Sequence, residues 1–174
     1  YFLDKHGGAI PEDIERTVVP SAPDAWITAL EHYGTMSFAE VAAAAIRFAK
    51  EGFPVYPLMT EVLDAAAPTL RQWPSSAAVL LPGGRAPEPG DIFVQGDLAR
   101  TLQYLADEES AAAGKGRGGG LGAARDAFYR GDIARTIDRF FRENGGLMTA
   151  DDMAGFRVGI EPPVRARFGD IDVY

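Results

Sequence analysis

Cysteine is absent from this 174-residue chain, which removes disulfide frameworks, zinc–thiolate sites and thiol nucleophiles. Histidine is scarce: His6 and His32 are the two present, so a three-histidine metal site is excluded. No apolar run approaches the ~18 residues of a membrane span, and no membrane partner is expected. Positive charge is in deficit, with 17 Lys and Arg against 25 Asp and Glu and a net charge of -8. Most of the acidic excess lies in the first 70 residues, which hold 10 acids and 4 bases. Such a surface does not favour nucleic acid or an anionic lipid surface. A signal peptide is also missing, but the first residue is Tyr1 and not Met, and Ile171-Asp-Val-Tyr174 alternates like a strand and stops without a turn. Both ends look cut. The chain reads as a piece of a longer protein, so missing targeting signals carry no weight and the compartment stays open, periplasmic or cytoplasmic.

What is present is ordinary for a globular chain: 47% apolar and 24% charged residues, enough for one domain with a core of its own. The 28 alanines favour helix. Residues 1–20 read as irregular. In Ser21-Ala-Pro-Asp24 a serine N-cap and a first-turn proline open a helix that carries Trp26, Ile27, Leu30 and Tyr33 and ends at Gly34. Ser37-Phe-Ala-Glu40 is a capping box for a second helix, with Val41, Ala42, Ala45, Ile46 and Ala49 inward and a stop at Gly52. The two read as a helical hairpin. Pro57 starts a third helix through Ala66, with Leu58, Val62 and Ala65 inward, and Pro68 and Pro74 break the pattern.

Ala78-Val-Leu-Leu81 and Ile92-Phe-Val94 flank a Pro/Gly-rich stretch, as a small hairpin or an extended excursion. Helical spacing resumes at Asp97 with Leu98, Leu102 and Leu105. Residues 111–122 are Gly/Ala-rich and are expected to form a flexible loop. Helices at about 123–130 and 132–144 follow, then a short one capped by Thr149 and closed by Gly155. From Phe156 the period changes to that of strands: 156–160, 164–168 and 171–174. The expected fold is mainly α with a few C-terminal β-strands: an irregular segment 1–20, a helical body 21–155, and strands 156–174 belonging to a larger sheet.

Few residues suggest chemistry, and each has a plainer reading. Gly114-Lys-Gly-Arg-Gly-Gly-Gly120 has amides and a lysine suited to phosphate, but no strong strand precedes it and no Gly-Lys-Ser/Thr follows. Asp107-Glu-Glu109 is a cation-binding type of cluster, better read as a solvated charge run at a helix end. Asp151 and Asp152 are placed to serve a helix N-terminus more than to act as an acid–base pair. His32 beside Tyr33 lacks a nucleophile or orienting acid, and Ser75-Ser76 lacks the glycines of a nucleophile elbow and reads as a turn. Trp26, Tyr33, Phe38, Phe48, Phe128, Phe140 and Phe141 fall at helical spacings and read as core. Bottom-up, the residues describe a mostly helical module without assigned catalytic, cofactor or metal residues.

A family resemblance is carried by a series of short stretches in order. Val19-Pro-Ser-Ala-Pro-Asp-Ala-Trp26 resembles the Val-Pro-Gly stretch before a helix in the gamma-glutamyltransferases (gamma-glutamyltranspeptidases). Tyr33-Gly-Thr-Met-Ser-Phe38 and Ala44-Ala-Ile-Arg-Phe-Ala-Lys-Glu-Gly-Phe53 resemble their next helical pair. Pro89-Gly-Asp and Val94-Gln-Gly-Asp-Leu-Ala99 match the middle, and Ala127-Phe-Tyr-Arg-Gly-Asp-Ile-Ala134 is the most telling. Gly145-Gly-Leu-Met-Thr-Ala-Asp-Asp-Met153 and Phe168-Gly-Asp continue the resemblance to Tyr174. It covers about residues 18–174, and it departs where the family's glycine after Val-Pro is Ser21.

The resemblance implies the helical portion of an N-terminal-nucleophile hydrolase of αββα fold, made as a precursor that cuts itself into large and small subunits. The small subunit's new N-terminal threonine attacks the gamma-glutamyl amide, as in glutathione, and its own α-amino group takes the proton. Water or an acceptor amine then resolves the acyl-enzyme, with an oxyanion hole stabilising the tetrahedral state. The chain resembles only the interior of the large subunit, so its partners would be the rest of that subunit, the small subunit and a gamma-glutamyl substrate. No catalytic or binding residue carries over onto this sequence, since Thr17 and Thr149 are internal. The isolated chain is expected to be inactive scaffold and prone to self-association. The rivals are a cephalosporin or glutaryl acylase of the same family and a non-catalytic helical binding module.

Overall fold

A computed structural model describes residues 1–174. In chain order the elements are α1 (Phe2–His6), a 3-10 turn (Ile14–Arg16), α2 (Ala22–Tyr33), α3 (Phe38–Glu51), β1 (Phe53–Pro54), α4 (Pro57–Leu70), α5 (Pro74–Leu80), a 3-10 turn (Pro82–Gly84), β2 (Ile92–Phe93), α6 (Gly96–Ala111), a 3-10 turn (Ala113–Lys115), α7 (Gly116–Tyr129), α8 (Asp132–Glu143), α9 (Ala150–Gly155), β3 (Ala166–Phe168) and β4 (Ile171–Val173). The molecule is mainly helical with short strands at its C-terminal end, the class expected. No helix is long and apolar enough to cross a membrane. The chain divides into two compact units, one made of Tyr1–Gly34 with Phe128–Tyr174 and the other of the continuous run Thr35–Ala127.

In the continuous unit, α3 begins at the capping box that the sequence announces. The Glu40 amide donates to Ser37 Oγ (3.1 Å), and the Ser37 amide donates to Glu40 Oε2 (2.8 Å). The Ser37 amide first, and then the Ser37 hydroxyl, which also donates to Glu40 Oε2 (2.8 Å), hold the Glu40 carboxyl below its usual pKa. The face of α3 that is buried carries Phe38, Ala42 and Ala49, whereas Val41 and Phe48 stay exposed. Proline starts two helices here, Pro57 in α4 and Pro74 in α5, where its missing N–H costs nothing. Pro68 does not end α4 but sits in its last turn, and the helix runs on to Leu70. Its inward residues are Leu63 and Ala67, which pack with Leu81 and Ala86, while Leu58 and Val62, expected inside, face out. The helix carries two apolar stripes, and periodicity alone does not say which meets the core.

The run 78–81 lies mostly within α5, not in a strand, because Pro74 nucleates a helix ahead of it. Ile92-Phe93 instead pairs antiparallel with Phe53-Pro54, with Phe53 opposite Phe93 and their rings 5.8 Å apart edge-to-face. Gly52 precedes this pair at φ 89°, and a Cβ there would lie 2.4 Å from Ile92 Cγ2, so only glycine fits. A further correction concerns residues 111–122. The stretch forms the end of α6, a 3-10 turn and the start of α7 where a loop was expected. Gly120 and Leu121 are buried there, and that packing outweighs the poor helix propensity of glycine.

In the discontinuous unit, residues 1–20 are not wholly irregular, because α1 and the Ile14–Arg16 turn form within them. The α2 helix buries Ile27 completely, while Trp26 and Tyr33, read as core, are exposed. Helix α8 ends where Gly145 turns at φ 75° and the Gly146 amide returns to the Phe141 carbonyl at 2.8 Å. Helix α9 opens on a second capping box, Thr149 with Asp152. Beyond it residues 156–165 form no strand, and the tail reduces to one hairpin with Phe168 opposite Ile171 and Ala166 opposite Val173. The hairpin is two-faced. Ala166, Phe168, Ile171 and Val173 share one side, Arg167 and Asp172 the other, and every residue in both strands is exposed.

Candidate functional site

Three charged side chains are buried, Glu15, Asp24 and Glu109, and chemistry would be sought at them first. Each is instead a saturated acceptor that ties distant segments together.

Glu15 lies in the 3-10 turn after α1. Its Oε1 accepts hydrogen bonds from the Tyr1 hydroxyl (2.6 Å) and from the Lys5 ammonium, and His6 Nε2 lies 2.6 Å from its Oε2. The Lys5 hydrogen bond first, then that of Tyr1, lower the Glu15 pKa to about 2, while the same contact raises that of Lys5. Glu15 is therefore a fixed carboxylate and not a proton donor near neutral pH. It borders an open cleft of about 830 Å³, whose walls are Phe2, Val19, Met148 and Phe156 with Thr17 and Ser21 at the polar side. Nothing in this cleft pairs a nucleophile with a base in the described hydrogen bonds.

Asp24, in the first turn of α2, is fully buried. Its backbone amide donates to the Tyr129 hydroxyl (3.1 Å), which donates in turn to the Pro20 carbonyl (2.5 Å). Its side-chain Oδ2 accepts from the Val158 amide at 2.7 Å. Tyr129 also stacks on Phe156 with centroids 5.9 Å apart. Ser21, read as the N-cap, makes no side-chain capping bond.

Glu109 corrects the reading of residues 107–109 as a solvated run. Only 7% exposed, it reaches the N-terminus of α3 and accepts from the Phe38 and Ala39 amides, both at 2.9 Å. With the Glu40 amide on Ser37, the first three amides of α3 are all satisfied. Asp107 accepts from Gln103 on its own helix.

The other candidates resolve without a site. Gly116–Gly120 are helical and so do not form a phosphate cradle, and Arg117 donates to the Met36 carbonyl at 3.2 Å. Asp152 accepts from the Thr149 hydroxyl and amide, which in that order lower its pKa. His32 is exposed beside Tyr33. Ser75 and Ser76 occupy the first turn of α5 and not a loop turn. Of the aromatic set, Phe38, Phe128 and Phe141 are core, while Phe48 and Phe140 are exposed along with Trp26 and Tyr33. No group of three or more His, Cys, Asp or Glu is placed to hold a metal ion. Sequence reading misses Glu15 and Tyr129 and misassigns Glu109, because no local pattern encodes their contacts with Lys5, Pro20 and Phe38.

Comparison with known proteins adds what the geometry lacks. The family model described as gamma-glutamyltranspeptidase matches residues 4–174. An acylase ACY 1 proenzyme of Pseudomonas sp. (strain SE83) is 34% identical over 155 residues, covering 89% of this chain and 25% of its own length. A glutathione hydrolase-like YwrD proenzyme of Bacillus subtilis (strain 168) is 32% identical over 156 residues, covering 90% of this chain and 27% of its own. The crystal structure of Helicobacter pylori gamma-glutamyltranspeptidase superposes with a TM-score of 0.80 at 26% identity, covering 99% of this chain and 46% of that one. The chain thus spans about a quarter of the length of these curated relatives.

Proposed function

The chain belongs to the gamma-glutamyltranspeptidase family and corresponds to part of its large subunit; on that premise we propose that the whole protein transfers gamma-glutamyl groups, as from glutathione, to water or an acceptor amine. The observation that carries this reading is the family match from residue 4 to residue 174. In it, this chain is scaffold and pocket wall. The nucleophile is a threonine whose free α-amine serves as base, exposed when a precursor cuts itself. The internal threonines do not meet that need: the Thr17 amide is bonded to the Ile14 carbonyl and the Thr149 amide to Asp152. The small subunit would supply that residue, and the rest of the large subunit would be the other partner. Relatives described as proenzymes support a processed, two-subunit enzyme.

The β3–β4 hairpin fits this role. One of its faces is apolar and uncovered, and the other carries the Arg165–Asp172 ion pair at 2.7 Å. A face of that kind is built to be packed over, here by the remainder of the protein, with its strands extending a larger sheet.

A second reading, an acylase acting on glutaryl side chains, is favoured by the 34% identity to the acylase proenzyme. The test uses the protein encoded by the complete reading frame, with gamma-glutamyl and glutaryl p-nitroanilides side by side. Release from the gamma-glutamyl anilide is expected. Release from the glutaryl compound alone would replace the proposal with the acylase reading. Release from neither, with no self-cleavage, would leave a binding module. This chain by itself should release nothing above buffer.

A further inference from the structure

We propose that residues 112–119, the glycine-rich lead-in to α7, form a strap that opens on its own over the Glu109 carboxylate while α6 and the rest of α7 stay closed. The strap is independent of the activity proposed above.

Its construction separates it from its neighbours. Residues 113–118 are exposed, whereas Gly120 and Leu121 are buried and anchor the helix that follows. At Gly116 the backbone turns to φ 76°, so the 3-10 turn and α7 meet at a joint only glycine takes without strain. A Cβ at Gly120 would lie 3.2 Å from Glu109 Cγ, so glycine there lets α7 lie against the buried carboxylate. At Gly118 and Gly122 a Cβ would meet nothing within 4 Å. Packing does not require glycine at either position, and Gly118, inside the strap, keeps it easy to unwind. Each helical glycine favours the open form roughly five-fold over alanine.

Beneath the strap is a cleft of about 340 Å³ bordered by Ser37, Glu40, Glu109, Arg117 and Gly120. The exposed Arg117 guanidinium, on the strap, donates to the Met36 carbonyl at 3.2 Å. Opening would release that tie and admit water to Glu109 and to the Phe38 and Ala39 amides it holds. Glu109 itself sits on α6, so α3 keeps its cap while the strap is open. The device is a local opening and not a loss of the unit.

Hydrogen exchange followed by mass spectrometry tests this on the chain as it stands and on the Gly118→Ala variant. The strap amides should exchange at least about ten-fold faster than those of α6. The variant should slow them by roughly five-fold and leave α6 unchanged. Within residues 35–127 trypsin should cut first after Lys115 or Arg117 in the unmodified chain, a readout that needs no variant. Exchange of strap and α6 at one common rate, equal slowing of both in the variant, or a first cut elsewhere within residues 35–127 would each overturn the proposal.

Discussion

The Tyr129 hydroxyl and the Asp24 amide are joined by a buried hydrogen bond of 3.1 Å across 105 residues of sequence. The same hydroxyl reaches the Pro20 carbonyl, so one phenol fixes the entry of α2 and the loop before it. Tyr129→Phe keeps the ring on Phe156 but strips both bonds and strands a buried amide. We expect a loss of about 1–3 kcal/mol. Urea unfolding at constant m-value measures it, and a change below about 0.5 kcal/mol would show that water replaces the hydroxyl.

Acid should destabilise the protein through Glu15. Its folded pKa, about 2, lies below the ordinary 4.5, because Lys5 and then Tyr1 and His6 stabilise the ionised form. A depressed carboxylate contributes stability above its unfolded pKa and loses it as pH falls through the folded one. The urea midpoint should therefore drop between about pH 4.5 and 2. Glu15→Gln should be less stable than the parent at pH 7 and show a shallower fall over that window. Parallel acid profiles for both proteins would rule Glu15 out as the source.

Removing the carboxylate that caps α3 should be costly because Glu109 satisfies two amides at once. Glu109→Ala is expected to lose about 1–3 kcal/mol, and Glu109→Gln less, since an amide oxygen still accepts one bond. Amide exchange at Phe38 and Ala39 should speed up in the alanine variant beyond the global change. Unaltered protection there would mean that another group takes over the cap.

The exposed hairpin face should make this chain associate with itself. Phe168 is 83% exposed and Ile171 opposite it 61% exposed, both on the apolar side. Sedimentation should show association that weakens in Phe168→Asp, with residues 156–174 exchanging faster than α8 and α9 in the dissociated form. A strictly monomeric parent chain with a protected tail would refute the idea.

Legibility followed distance along the chain. Both capping boxes, Ser37 with Glu40 and Thr149 with Asp152, were readable because each is complete within four residues. Glu109, Asp24 and Tyr129 were not, since their hydrogen-bond partners lie 70 to 134 residues away and no local pattern encodes such a meeting. Period alone also left faces undecided: Leu58 and Val62 repeat as regularly as Leu63 and Ala67, but only the second pair meets Leu81. Gly116–Gly120 reads as a loop by composition and becomes helical because Leu121 and its neighbours bury the turns that follow. The family, in contrast, was legible from several short stretches in order, none decisive by itself.

One consequence lies in the order in which the chain is made. The Thr35–Ala127 unit is continuous, so every contact inside it is available once Ala127 has been synthesised. The other unit is interrupted by that whole run, and its Asp24 waits for Val158 before its carboxylate is satisfied. A nascent chain emerging from N to C would therefore complete the inserted unit first, while Tyr1–Gly34 stays unsettled. Folding the insertion early brings Gly34 and Phe128 under restraint and lowers the loop-closure entropy that the split unit must still overcome. The unit whose first segment, Tyr1–Gly34, is made ahead of the insertion is in this sense the last to finish.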